Sequence, residues 1–540
     1  MRLLSITALF ISFSALIPNS FSATAPLQEY VIVENQVDNE FFIVANRVDP
    51  RFSGSNVFTK YQRNRQYSLG YMGYTGTPFS STYNTGDIWL ENSPVSQPFI
   101  GNRCMTNNRN CPATSYWSAQ QLRDNGAYKI QQTGTPGESG YSRPIFSESF
   151  YRWLAEIPPG TEYTFDLRTC TSRDDYDLSN ATCMTSGGRT TTQQHYIPTN
   201  KKGNIILKGT GALQEVFVDS NGNPTIGLGS NFCSTGIVGN TSGIICKLVE
   251  LETQGQSIGG TFTVRMYIDS AKLGLARDPR AALIQYKGSN STRWTNWSST
   301  TNMSEIFNNG SQNIEVFLSN EYLKSIVDAS PNSTVTLADS VYTFGFQSPL
   351  PQSGFYEFTP SNFLIIKPRD YGISIIPADF NPNQSKTGKV GNDEPPIEFS
   401  YIVTTSGPRQ ADSITAKVEG PNTTLKGQSY CLFTSSDNKL NVPFSAYLSF
   451  KNENGARESH RASCDSNEVS LKNALWSETP WDRPNEDLGS FYRTNLDLSF
   501  PMNDSESFFT LDGIDWLGTV SASGTITVKA IWLDPIFNNI

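Results

Sequence analysis

Short runs with two-residue apolar alternation recur along the whole chain, each cut off by Gly, Pro, Asn or Asp. Such alternation sets successive side chains on opposite faces of a strand, and no helical periodicity of similar strength competes with it. The clearest runs are residues 30–33, 261–268, 363–366, 399–403, 446–450 and 525–532. Turn clusters at 219–224 and 349–354 separate them. Many short strands with frequent turns predict an all-β protein built from sandwiches. The 32 Phe, 23 Tyr, 41 Gly and 30 Pro among 540 residues suit strands and turns. Helical candidates are few: residues 147–157, 320–327 and 470–477, each expected to connect strands across a sandwich end.

The first 22 residues read separately from the fold. Arg2 precedes an apolar run from Leu3 to Ile17, and Ser20 and Ser22 place small residues before a cut at Ala23. This is the pattern of a secretory signal peptide. The run is too short and too rich in Ser to span a bilayer. Export permits disulfides, and the chain has eight cysteines: Cys104, Cys111, Cys170, Cys183, Cys233, Cys246, Cys431 and Cys464. Pairing each with its sequence neighbour is the simplest arrangement. The closest two are separated by six residues, wider than the C-x₂₋₄-C spacing of a zinc site. With only His195 and His460 as histidines, neither a metal nor a cofactor is expected. A net charge of −9 argues against nucleic acid as a partner, because phosphate binding needs clustered Lys and Arg.

Breaks are expected at residues 198–203 and at 367–370, where Pro368 interrupts two strong strands. They divide the exported chain into 23–202, 203–369 and 370–540, read as three immunoglobulin-like β-sandwich domains. In the last, candidate strands lie near 371–376, 397–405, 412–419, 429–434, 443–451, 491–500 and 518–532. If 429–434 is an accessory strand, the series stops one strand short, with only Leu533 to Ile540 following Trp532. Counting leaves two readings open. The sandwich is complete, or it lacks a strand and exposes unpaired N–H and C=O groups beside an apolar groove that a strand from another chain would fill. In the second reading Tyr401 and Val403 share one face, Ile526, Val528 and Ala530 another, and together they line the acceptor groove. Residues 30–33 begin within about eight residues of the expected cut, which leaves little extension to donate. Such a subunit accepts a strand and donates none, which places it at the far end of a fibre.

Several segments resemble the tip-adhesin family of the enterobacterial common pilus, an alternative chaperone–usher fimbria. They include Glu29-Tyr30-Val31-Ile32-Val33-Glu34-Asn35, Asn39-Glu40-Phe41-Phe42 and Trp89-Leu90-Glu91-Asn92-Ser93-Pro94-Val95-Ser96. Glu215-Val216-Phe217-Val218, with Gly222 and Pro224-Thr225, continues the match. The densest part is Leu364-Ile365-Ile366-Lys367-Pro368-Arg369-Asp370, Tyr401-Ile402-Val403-Thr404-Thr405-Ser406-Gly407 and Val520-Ser521-Ala522-Ser523-Gly524. The resemblance implies a C-terminal pilin-like domain completed by the major pilin's donor strand. It also implies a periplasmic chaperone and an outer-membrane usher as partners, a place at the fimbrial tip on the cell surface, and roles in host attachment and biofilm formation. Departures fall in loops of the first domain, at residues 61–65 and 102–117, so the ligand is left open.

Motifs for chemistry are weak. Gly255-Gln256-Ser257-Ile258-Gly259 fits G-x-S-x-G, but a strand follows where a nucleophile elbow needs a helix, so a polar hairpin turn is expected. Asp174, Asp175 and Asp177 do not follow the order of a calcium loop and read as a solvated loop. Thirteen of the 23 Tyr precede residue 203, and Tyr is a rigid contact residue of binding surfaces. Arg103, Arg109, Tyr116 and Trp117 flank the Cys104–Cys111 staple and could form a recognition loop for a host-surface ligand, a glycan being one class; Tyr116 and Trp117 could equally pack on the sandwich. The sequence thus points to a non-catalytic adhesin. The alternatives are a secreted β-sandwich carbohydrate-active enzyme and a structural cap that binds no ligand.

Overall fold

The computed structural model describes residues 22–24, 26–46, 52–55, 71–72, 74–75, 79–80, 82–103, 116–132, 141–329, 335–337, 341–347, 355–360, 364–381, 384–481 and 488–533. The expected leader lies outside these, except Ser22. Alternation has its largest consequence in the first hairpin. Strand β1 (Gln28–Asn35) turns into β2 (Glu40–Asn46) in antiparallel register. Asn39 takes the left-handed position in the turn, φ +53°, which Asn tolerates better than most residues. Tyr30, Ile32, Phe41, Ile43 and Ala45 enter one core, while Val31, Val33, Phe42 and Val44 enter a second. Burial on both faces explains why the hairpin reads as two continuous apolar runs.

Around the first core lie β3 (Thr85–Leu90), β4 (Gly126–Gln131), helix α1 (Glu148–Glu156), β5 (Glu162–Ser172) and β6 (Thr190–Gly209). Ser147 caps α1 by accepting from the Phe150 N–H at 3.2 Å. Phe150 and Leu154 turn inward from the helix. At a strand rise of roughly 3.3 Å per residue, the 20 residues of β6 run about 65 Å. Its first half pairs with β5 and its second half with β8 (Thr241–Gly255), while β1 lies parallel along its other edge. One strand therefore crosses from the first core, at Ile197, to the second, at Ile205 and Leu207.

Residues 198–203 accordingly lie inside a strand rather than in a linker. Pro198 is tolerated because it sits between two parallel partners on one edge: Ser22–Thr24 pairs with 194–196, and β1 begins opposite Thr199. Gly203 is needed for close approach, since a Cβ there would meet the Gln254 carbonyl oxygen at 2.3 Å. The first two units are thus joined by a shared sheet.

In the second unit β7 (Cys233–Val238) pairs with β8, and the Cys233–Cys246 bridge crosses the two strands at a Cα separation of 4.1 Å. After β8 the chain makes one 3₁₀ turn, Ile258–Thr261, and enters β9 (Thr263–Ile268) in a different sheet. Residues 255–259 are therefore a crossover and not the expected hairpin turn. Ile258 and Thr261 are buried and draw the chain across the core. Strand β10 (Asn313–Ser319) and helix α2 (Asn320–Ala329) close this unit, with Tyr322, Leu323 and Ile326 facing inward. The helices expected at 147–157 and 320–327 are thus α1 and α2. The one expected at 470–477 is absent: a short strand ends at Ser470, and Leu471 is buried with its N–H bonded to the Ile414 carbonyl.

Among the described residues the last unit has two main sheets beside a small one of Asn422–Leu425, Gln428–Thr434 and Asn441–Phe444. One runs β11 (Gly372–Pro377), β12 (Ile397–Gly407), β16 (Ser490–Phe500), β14 (Tyr447–Lys451) and β15 (Arg457–Arg461); the other runs Val469–Ser470, β13 (Ser413–Glu419) and β17 (Thr525–Ile531). Residues 369–371 form the turn into it from the strand Leu364–Pro368. Because one hairpin feeds two cores, Phe42→Ala should cost about 3–5 kcal/mol and lower the melting of both leading units together. Calorimetry that shows only one of them shifted would refute the shared-sheet coupling.

Candidate functional site

Among the described residues the last unit leaves the outer edge of β17 unpaired. Strand β17 pairs with β13 from Ser413↔Ile531 to Glu419↔Thr525, and among the described residues no strand lies on its other edge. Ile526, Val528 and Ala530 are half-buried and pack on the core, while Thr525, Thr527, Lys529 and Ile531 between them are exposed. In the facing sheet, β12 contributes Tyr401, half-buried, and Val403, fully buried. All five groove residues proposed from sequence thus meet one core.

A cavity of about 330 Å³ opens between the two sheets. Tyr401 and Ile526 line it with Phe399, Phe433, Leu498 and Phe500; Val403, Val528 and Ala530 lie outside the lining. Burial pushes the Tyr401 phenol up to about 12, with Asp379 adding to the effect. Cys464 forms part of the wall and is bridged to Cys431 at a Cα separation of 5.1 Å.

The residues expected to form a recognition loop are arranged differently. Strand Phe99–Arg103 pairs with Tyr116–Arg123, placing Arg103 opposite Tyr116 and Asn102 opposite Trp117. Trp117 is 8% exposed and belongs to the first core, and Arg103 is 6% exposed. Neither presents its ring or guanidinium to a ligand, because alternation turns Trp117 to the core face. Tyr116 is half-buried. Arg109 and the Cys104–Cys111 pair lie outside the described residues.

Asp174, Asp175 and Asp177 spend their oxygens on their own chain. Asp177 accepts from Ser179 and Asn180, Asp174 from the Arg189 N–H, and Asp175 pairs with Lys129 at 3.2 Å. The anchor of this loop, which sequence reasoning missed, is the buried Asp87. It accepts from the Tyr176 hydroxyl and from the N–H groups of Lys129 at 2.8 Å and Cys183 at 2.7 Å. Desolvation raises its pKa and these bonds oppose the rise. The Cys170–Cys183 bridge closes the same loop. His460 bonds to Glu458 at 2.8 Å and stacks on Phe450, and Ser257 is exposed at the surface crossover.

The profile of the E. coli common pilus adhesin EcpD N-terminal domain matches residues 17–205, that of its middle domain 209–363, and that of the EcpD C-terminal domain 370–530. The chain belongs to the EcpD family of common pilus adhesins. The fimbria adhesin EcpD of Escherichia coli O157:H7 is 35% identical over 528 residues, covering 94% of each chain. That of Escherichia coli strain K12 is likewise 35% identical over 528 residues, with the same coverage. A solved structure of a point mutant of the CFA/I enterotoxigenic E. coli adhesin CfaE covers 95% of each chain, but at 9% identity and a TM-score of 0.19; it carries no argument here.

The bridge beside the cavity gives a test of how this unit is held. Replacing Cys431 and Cys464 together by Ala should destabilise the last unit by about 2–5 kcal/mol in denaturant. The melting of the two leading units should stay unchanged.

Proposed function

We propose that this family member is the tip adhesin of a chaperone–usher pilus and that its last unit is an incomplete sandwich finished by a donor strand of the major pilin. The observation that carries this reading is the open edge of β17. A strand laid there would pair with its backbone and place alternate apolar side chains on Ile526, Val528 and Ala530, facing Tyr401 and Val403 across the groove. Export would follow the leader at residues 1–22. A periplasmic chaperone would occupy the groove during transit, an outer-membrane usher would pass the subunit to the surface, and the major pilin would then replace the chaperone. As an acceptor of that strand at the fibre's far end, the chain would cap the fibre, start its assembly, and attach cells to host surfaces or to one another in biofilms. The unit 23–202, alone or with 203–369, would present the binding surface, and 370–540 the anchor.

Nothing in this mechanism needs catalysis. Residues 255–259 lack the helix of a nucleophile elbow, and the Asp174–Asp177 carboxylates are engaged by their own loop.

The test adds a synthetic peptide of the major pilin's N-terminal extension to the full exported chain. At a thousandfold excess over Kd, binding to the folded state alone contributes about 4 kcal/mol, so the melting of the last unit should rise by about 8–16 °C. Ile526→Asp should abolish the rise. A last unit that already melts high and does not respond to the peptide would refute the donor-strand reading.

A further inference from the structure

A cavity of about 730 Å³ lies between α1 and the shared sheet, within the range of small-molecule sites, roughly 300–1,000 Å³. Residues of both leading units line it: Glu34 from β1, Phe41 from β2, Tyr151 from α1, Asn204 from β6 and Gln254 from β8. Alternation explains the floor. Ile205 and Leu207 of β6 enter the second core, which turns Asn204 and Ile206 toward the helix.

The chemistry of this cleft is specific. Tyr151 stacks flat on Phe41, with ring centroids 3.6 Å apart at 9°, giving one wall an apolar aromatic face. The carboxylates are largely compensated. Glu148 pairs with Arg152 at 2.5 Å, and Glu34 interacts electrostatically with the Tyr151 hydroxyl and with the buried Lys201. Lys201 in turn donates to the Ala155 carbonyl at 2.5 Å, and burial lowers its pKa to about 8. Neither a strong anion nor a strong cation is favoured. Asn204 donates to the Ala155 carbonyl at 3.2 Å and to Gln254 Oε1 at 3.3 Å, while its Oδ1 is buried and accepts no hydrogen bond from the protein. A buried acceptor of this kind is costly unless a donor meets it. An aromatic face beside amide and carboxylate acceptors, with little net charge, suits a ring with C–H faces and many hydroxyls.

We propose that this cleft binds a neutral saccharide, its C–H face against Tyr151 and its hydroxyls at Asn204, Gln254 and Glu156. The biological purpose of the site rests on the adhesin reading above; the binding itself does not. The middle unit then contributes to recognition instead of only spacing the first from the fibre.

The test titrates the full exported chain, with donor peptide bound, against neutral di- and trisaccharides of hexoses and pentoses by calorimetry. We expect at least one to bind at one site per chain. Asn204→Ala should weaken it roughly tenfold, the scale of one lost hydrogen bond. Gln254→Trp, at an exposed rim position, should block it while the melting temperature stays unchanged. Failure of the whole panel to bind, or binding unaltered in both variants, overturns the proposal. Cell attachment by the same proteins separates the two readings. If wild type and Gln254→Trp attach equally, the cleft is not the adhesive site and the adhesin reading stands. If wild type binds the saccharide but attaches to no cell, the adhesin reading fails and the cleft stands.

Discussion

Burial of the β1–β2 hairpin on both faces is the constraint on which the rest of the molecule depends. Residues of even number in β1 face one core and those of odd number the other, so neither face can be given up to solvent. A slip of one residue in this pairing would exchange Ile32 with Val33 and send every side chain of the strand into the wrong core. Strand β6 inherits the constraint, because it lies parallel to β1 over eight residue pairs and must continue past both cores. The cleft under α1 follows as well. Its floor is the stretch of shared sheet that α1 leaves uncovered, and only a strand passing between two units could put Asn204 and Gln254 beside Phe41 and Tyr151.

The middle and last units meet through a smaller set of groups. Phe217, Trp481 and Phe491 form a buried cluster, and the Arg369 guanidinium lies 4.1 Å above the Trp481 ring. Glu215 is fully buried, but its carboxylate accepts from the Ser374 hydroxyl and from the Leu228 N–H at 2.9 Å. Gln214 donates to the Phe380 carbonyl. Charged groups at such a depth persist only when their bonds are made, so this junction holds one arrangement of the two units rather than a range of them.

Legibility in the sequence followed the range of the interaction. Period-2 alternation is local, and it yielded the all-β class and the strand at 525–531; pairing sequence neighbours, also local, gave Cys170–Cys183, Cys233–Cys246 and Cys431–Cys464. Helices α1 and α2 fall on two of the three helical candidates, and the structure shows Ser147 capping the first. Residues 198–203 read as a break from Pro, Lys and Gly, and only the partners of β6 show that a strand runs through them and that a proline fits there. Trp117 had two readings from sequence, contact residue or core, and pairing with Phe99–Arg103 decides for the core by fixing which face it takes. The α1 cleft gave no local signal, since its residues come from seven elements. The apolar pair Phe41 and Tyr151 and the polar pair Asn204 and Gln254 are ordinary until the sheet brings them together.

The two ends of the last sandwich treat their edges differently. Strand β15, at the border of the larger sheet, carries Arg457, Glu458, His460 and Arg461, charges that discourage another strand from adding to it. Strand β17, at the border of the smaller sheet, carries Thr525, Ile526, Thr527, Val528, Lys529, Ala530 and Ile531, with a single charge and clean alternation. Both edges belong to the same unit and face the same hazard of unwanted pairing, yet only one is defended. An edge left unguarded beside an apolar cavity exposes half-buried Ile526 to water, and that exposure is a standing cost to the isolated fold. Sequence that retains such a cost where a few charges would relieve it fits the proposal that a donor strand covers this surface.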